Sequence, residues 1–407
     1  MEMDSVDRIE KPAGQGVVPS YAWVILAVVM AAGVAGPFNQ FKVPPVMPVL
    51  MDSLGIDLTY AGALMSIFAI TGLITALPAG LVLLRLGLKL TGLIAILFML
   101  GGTLLGAVAG RYSLLFISRL VEGVGLGLIA VIGPAAISAW YPEERRGFPM
   151  GIWATWVSLG SLLIYNLAPP VESAGGWQSV WWMSAGLTAA AAILFFILFR
   201  EPSQDLSIRP KHKTVGSPAY IKALSRPGIW LLSFAFGCFN FAIIGVIATY
   251  YPTYLKSIQG YDLAGASLVT SIKMIVVIAT APLIGWVVDR IGSPRKITLW
   301  SFIAIAAFMA LPFSISGWMI PASMVLLGIL AGAIPTCIFT SIPEIVGWEA
   351  PAGIGMGVIL IGQNLGQLLG PVVFGQLVQT IGWMPAAFCT IPLLLAGYFA
   401  VRLTDMK

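Results

Sequence analysis

The sequence predicts an all-α membrane protein, with twelve transmembrane helices in two pseudo-symmetric six-helix bundles, and three observations lead there. Of 407 residues, 58% are hydrophobic and 10% charged, which leaves too little polar surface to cover a soluble globule of that size. The apolar residues fall into twelve runs of spanning length, near 22–50, 59–84, 89–109, 112–140, 147–170, 178–199, 228–255, 262–288, 296–315, 319–342, 353–381 and 383–403. The last six runs also repeat features of the first six. Continuous apolar runs of this length exclude the alternating pattern of barrel strands, so each span is a helix whose backbone groups are satisfied internally.

Residues 1–20 hold four acids and two bases with no apolar core, and read as a cytoplasmic tail rather than a cleavable signal. An N-terminal bundle over 21–199 follows. Its first span is interrupted by Asn39-Gln40-Phe41-Lys42-Val43-Pro44-Pro45, a polar, helix-breaking stretch of a kind tolerated at membrane depth only where backbone lines a cavity. Lys42 lies so far along this span that two readings stand, facing that cavity or snorkelling to the outer interface. Span four carries Arg119 and Glu122 at i, i+3, where side chains can pair. Either they form a structural bridge, or Glu122 carries protons. Span five could add an aromatic and polar wall of Trp153, Trp156, Ser161, Tyr165 and Asn166, although any single one of them reads first as packing.

Residues 200–227 form the one sizeable polar, basic and Pro-bearing interior stretch, a linker that contains the only histidine, His212. The second bundle covers 228–407. Span seven brings Asn240 to mid-depth, with Tyr250 and Tyr251 at its outer end as interface-belt or gate residues. Span eight carries Lys273 about ten residues from both Leu263 and Pro282, roughly 15 Å deep at ~1.5 Å per residue. Thr270 and Thr280 share roughly its face. Span eleven adds the amides Gln363, Asn364 and Gln367. Cys238, Cys337 and Cys389 all fall inside spans, with no disulfide or metal framework, and no cofactor is expected.

Of the 22 Lys and Arg, Arg111 and Lys256 fall outside if the N-terminus is inside, and Lys42, Arg119 and Lys273 lie within spans. The remaining 17 are cytoplasmic, which predicts a multi-pass protein of the inner (plasma) membrane with both termini in the cytoplasm. The net charge of +5 reflects anchoring to membrane lipid and does not argue for nucleic acid.

A shift of 206 carries Gly147, Met150, Gly151, Gly160, Leu162 and Leu163 onto Gly353, Met356, Gly357, Gly366, Leu368 and Leu369. A shift of 205 carries Gly80, Arg85 and Gly87 onto Gly285, Arg290 and Gly292. These are parallel repeats about an axis along the membrane normal, which enclose a site between them near the midplane.

Gly285-Trp-Val-Val-Asp289-Arg290-Ile-Gly292-Ser-Pro-Arg295-Lys296 resembles the loop signature of the major facilitator superfamily. Gly80-Leu-Val-Leu-Leu84-Arg85-Leu-Gly87 is similar, with Leu84 in place of the acid, and Arg119-Leu-Val-Glu122-Gly123-Val-Gly125 resembles the family's span-four motif. The resemblance covers all twelve spans. It implies alternating access with Arg85, Asp289 and Arg290 as gating residues. Lys42 after a Phe-bearing polar break, with one cation in mid span eight, is similar to the arrangement in monocarboxylate transporters and oxalate/formate exchangers. The stretches NQFKVPPVMPVL and MGIWATWVSLGSLLIYNLAPP resemble the cyanate and nitroimidazole permease group. The monocarboxylate pattern has an aspartate where this chain has Val269.

Three cations and one acid within the spans predict an anion site. The expectation is a monomeric carrier of a small anion, an organic monocarboxylate or similar, coupled to a proton or a counter-anion. Lys273 is its central contact, with Lys42, Arg119, Asn39, Gln40, Asn240, Gln363, Asn364, Gln367 and Tyr165 lining the site and Glu122 as the proton-coupling group. A small-drug efflux antiporter would use Glu122 as the lone acid of an apolar cavity. A membrane-embedded enzyme would need paired acids, a His cluster or a nucleophile at one depth, and a sensor a soluble output domain; the sequence holds none of these.

Overall fold

A computed structural model describes residues 18–142, 145, 147–201, 224–346 and 352–406, without the side chains of 76–78, 80, 81, 84, 289, 291, 343, 346 and 352–354. It contains twelve helices long and apolar enough to cross a membrane. Spans 1–6 are Ser20–Leu54, Leu58–Thr75, Arg85–Ala107, Tyr112–Trp140, Gly147–Gly175 and Trp177–Leu198. Spans 7–12 are Pro227–Ser257, Leu263–Val288, Pro294–Phe313, Met319–Ile342, Gly355–Ile381 and Trp383–Arg402. With six spans in each half, the start of span 1 and the end of span 12 lie on one face, and the short loops at Gly55 and Gly260 lie on the other.

The duplication runs deeper than the residues that reveal it in the sequence. Seven described glycines have positive φ, and six of them form three pairs 205 or 206 residues apart: Gly55 with Gly260, Gly87 with Gly292, and Gly176 with Gly382. A side chain at φ near +60 to +80° would strain the backbone, so both halves keep glycine where their turns need it. The caps repeat too. Asp57 accepts from the Tyr60 N–H (2.8 Å) at the start of span 2, and Asp262, 205 residues on, accepts from the Gly265 N–H (2.9 Å) at the start of span 8.

Spans 1, 5, 7 and 9 depart from regular helix, and the departures in spans 1 and 7 reach the centre. Span 1 is two helices, Ser20–Gln40 and Val43–Leu54, broken at Phe41 and Lys42. Pro44 has no N–H for the carbonyl of Gln40, four residues back, which leaves that oxygen in need of a donor. Span 7 carries a π-helical stretch over Phe241–Ala248, absent from the sequence-based expectation, and its Pro252 leaves the Ala248 carbonyl without its helical donor in the same way.

The halves meet in the middle and on the face away from the termini. There Tyr250 of span 7 places its hydroxyl between the carbonyls of Pro371 (2.5 Å) and Leu58 (3.1 Å), and Thr59 donates to Gln376 (3.3 Å). Towards the termini, a Cβ built on Gly147, Gly151 or Gly285 would meet nothing within 4 Å.

Candidate functional site

Lys42, Arg119 and Glu122 form one closed cluster inside the N-terminal half, each with no exposed surface. Glu122 Oε1 accepts from Lys42 Nζ at 2.7 Å and its Oε2 from Arg119 Nη1 at 2.7 Å. Lys42 therefore does not snorkel, and it shares the acid whose spacing pairs it with Arg119. Its ammonium also donates to Asn39 Oδ1 (3.0 Å) and Thr103 Oγ1 (3.5 Å), and lies 4.8 Å from the Trp181 ring centroid. The reason is the break in span 1, which turns residue 42 into the bundle towards span 4.

Arg119 answers the same break. Its Nη2 donates to the Gln40 carbonyl (2.5 Å) that Pro44 frees, its Nη1 to the Asn39 carbonyl (2.6 Å), and its Nε to the Leu64 carbonyl (3.2 Å). The guanidinium stacks on Phe68 at 4.1 Å. With these donors committed and no exposed surface, Arg119 holds span 1 in its broken form. Asn39 is buried as well, donating to Thr188 Oγ1 (2.9 Å) and the Ala35 carbonyl (2.8 Å). Neither Arg119 nor Asn39 lines open space.

In the C-terminal half, Lys273 is 4% exposed. Among the described residues its ammonium has no carboxylate partner, and its one hydrogen bond is to the Ile243 carbonyl at 3.3 Å, within the π-helical stretch. Side chains take other carbonyls of that stretch. Thr249 donates to Ile244 (2.9 Å), and Tyr165, from the other half, donates to the Ala248 carbonyl that Pro252 leaves free. Tyr165 is thus a bridge between halves rather than part of an open wall. The signal for its partner was the proline four residues beyond Ala248.

A chain of amides crosses the centre. Gln40 donates to Gln367 (3.4 Å), and Gln367 donates to Asn240 (3.1 Å), the residue at which span 7 enters its π-helical stretch. Gln40, Gln363, Asn364 and Gln367 are half-buried, and Asn364 donates to its own helix at Leu360 (2.8 Å). Asn166 donates to Ser271 of span 8 (3.1 Å), while Trp153 and Trp156 stack on each other at 5.0 Å within the N-terminal half. Tyr250 and Tyr251 are fully buried, so neither belongs to a lipid-interface belt.

Of the loop residues, Arg85 and Arg290 are exposed, and Arg290 lies 5.3 Å from the Trp286 ring centroid. The side chain of Asp289 lies outside the described residues. In the first-half loop a carboxylate arrives from span 6's end, where Glu201 accepts from the Lys89 N–H (2.9 Å).

The family model described as Major Facilitator Superfamily matches residues 23–350 and again 245–406. Among curated relatives, a probable sulfoacetate transporter, SauU, of Cupriavidus necator is 22% identical, with 88% of each chain covered. A hexuronate transporter of Bacillus subtilis is 25% identical over 93% of this chain and 92% of its own. A probable nitrate transporter, NarT, of Staphylococcus carnosus is 23% identical over 88% and 90%. Among solved structures, a bacterial homolog of the human lysosomal transporter Spinster, crystallised inward-facing and unoccupied, superposes with a TM-score of 0.79 at 15% identity, covering 94% of this chain and 97% of that one.

Proposed function

The chain belongs to the major facilitator superfamily, and on that premise we propose that it moves a small organic or inorganic anion across the membrane by alternating access, with Lys273 as the central contact. The observation that carries this is the Lys273 ammonium, buried about midway along span 8 with a backbone carbonyl as its one hydrogen-bond partner among the described residues. An uncompensated charge there costs several kcal/mol, and an anion lying against it offsets that cost. The one mid-span acid, Glu122, is already shared by two cations of the other half. Sulfoacetate, hexuronate and nitrate, named for the relatives, are all anions, which supports the reading.

In this proposal Gln40, Gln367 and Asn240 orient the anion with their amide N–H groups, and Lys42 and Arg119 contribute through their field rather than by contact. Anion exchange is favoured over proton symport, because a proton on Glu122 would leave both Lys42 and Arg119 without an acid.

The test is a thermal-shift screen of the purified protein and of Lys273→Gln against sulfonates, carboxylates, hexuronates, nitrate and lipophilic cations. A ligand of the folded state raises the apparent Tm by mass action. The expected result is stabilisation by one class of anion that disappears in Lys273→Gln. Stabilisation by a lipophilic cation, or by an anion equally in both proteins, would overturn the proposal.

A further inference from the structure

A second group of cations lies off the axis, on the face that carries the termini. Between the start of span 9 and the end of span 12, a cavity of about 780 Å3 is lined by Arg295, Lys296 and Arg402, with Ser293, Tyr398 and one acid, Asp405. Three positive charges thus meet one negative. Among the described residues none of the three cations forms an ion pair, although Asp405 borders the same space. Arg295 is fixed by its Nη2, which donates to the Arg402 carbonyl at 2.6 Å and ties the two span ends together. Among the described residues Lys296 makes no side-chain hydrogen bond.

The depth of this cavity narrows what can fill it. Arg295 and Lys296 are the second and third residues of the helix beginning at Pro294, and Arg402 is the last of span 12, so all three sit within a turn of a span end, at the level of lipid headgroups. Leu299 also borders the cavity, while Trp300 and Leu403 beside it are each 71% exposed. An exposed indole next to cations at a span end suits the membrane interface, where apolar surface meets acyl chain and charge meets phosphate.

We propose that this cavity binds the phosphate of an anionic phospholipid, with Arg295, Lys296 and Arg402 around the headgroup and the acyl chains running past Trp300 and Leu403. On the cytoplasmic side that the basic loops predict, the neighbouring leaflet is the anionic one, and basic pockets between helices at that level take such headgroups. A soluble phosphate would satisfy the charge but make no use of the apolar flank. The site does not depend on the transport reading.

The test uses full-length protein, delipidated in detergent, with native mass spectrometry and thermal shift against phosphatidylglycerol, phosphatidylcholine and inorganic phosphate. The expected result is retention of phosphatidylglycerol over phosphatidylcholine, with about a fivefold loss of apparent affinity for each of Arg295→Gln, Lys296→Gln and Arg402→Gln. Lys256→Gln, on the opposite face, should change nothing. Should Arg295→Gln fail to fold for want of its bond to Arg402, Lys296→Gln alone carries the test. Equal retention of the two lipids, retention unchanged in Lys296→Gln, or stabilisation by inorganic phosphate as large as that by the lipid would each overturn the assignment.

Discussion

In the N-terminal half, Lys42, Arg119 and Glu122 are fully buried and satisfy one another, whereas in the C-terminal half Lys273 is also buried and has, among the described residues, a single carbonyl for company. The same duplicated scaffold therefore holds charge in two ways. Turn glycines and helix caps recur at offsets of 205 and 206 because both halves make the same turns. The buried charges within the spans do not recur. Position 68, the counterpart of Lys273 at an offset of 205, is Phe68, and its ring lies under the Arg119 guanidinium. One half uses that place to support a structural cluster and the other to present a cation. The turns and caps were kept after duplication while the buried charges of the two halves diverged.

The sharpest way to break this comparison is to remove the shared acid. Glu122→Gln strands two buried cations, and the expected loss is about 3–5 kcal/mol of stability, read by denaturant or thermal unfolding in detergent. If Glu122→Gln unfolds at the parent's midpoint, the cluster is not the structural element described here. The contrasting substitution, Lys273→Met, removes a cation that has no acid partner among the described residues. It should abolish anion uptake in proteoliposomes while leaving the unfolding midpoint unchanged or raised; a fall like that of Glu122→Gln would make the two halves alike.

A smaller effect is expected at the closure between halves. Tyr250→Phe removes a hydroxyl set between Pro371 and Leu58 and should weaken the closed face by about 1 kcal/mol, seen as faster labelling of a cysteine placed at Thr59. Unchanged labelling would place the closure elsewhere. Of similar size, Asp57→Ala and Asp262→Ala each remove one N-cap bond and should cost about 1 kcal/mol apiece. Unequal costs would show that the caps, like the charges, have diverged.

Twelve spans, their helical state, the duplication and the identity of the mid-membrane charges were legible in the chain itself, because apolar length, glycine spacing and residue type are local properties. Which charge meets which was not legible. Arg119 and Glu122 could be paired by their spacing, but Lys42 reaches Glu122 only because Pro44 breaks span 1 and turns residue 42 inward. The partner of Lys273 is likewise invisible in sequence, since a π-helical stretch leaves no composition signal and Ile243 contributes only its carbonyl. Side-chain type is written residue by residue, whereas the company a buried charge keeps depends on how helices distant in the chain cross, and only the packed bundle determines that.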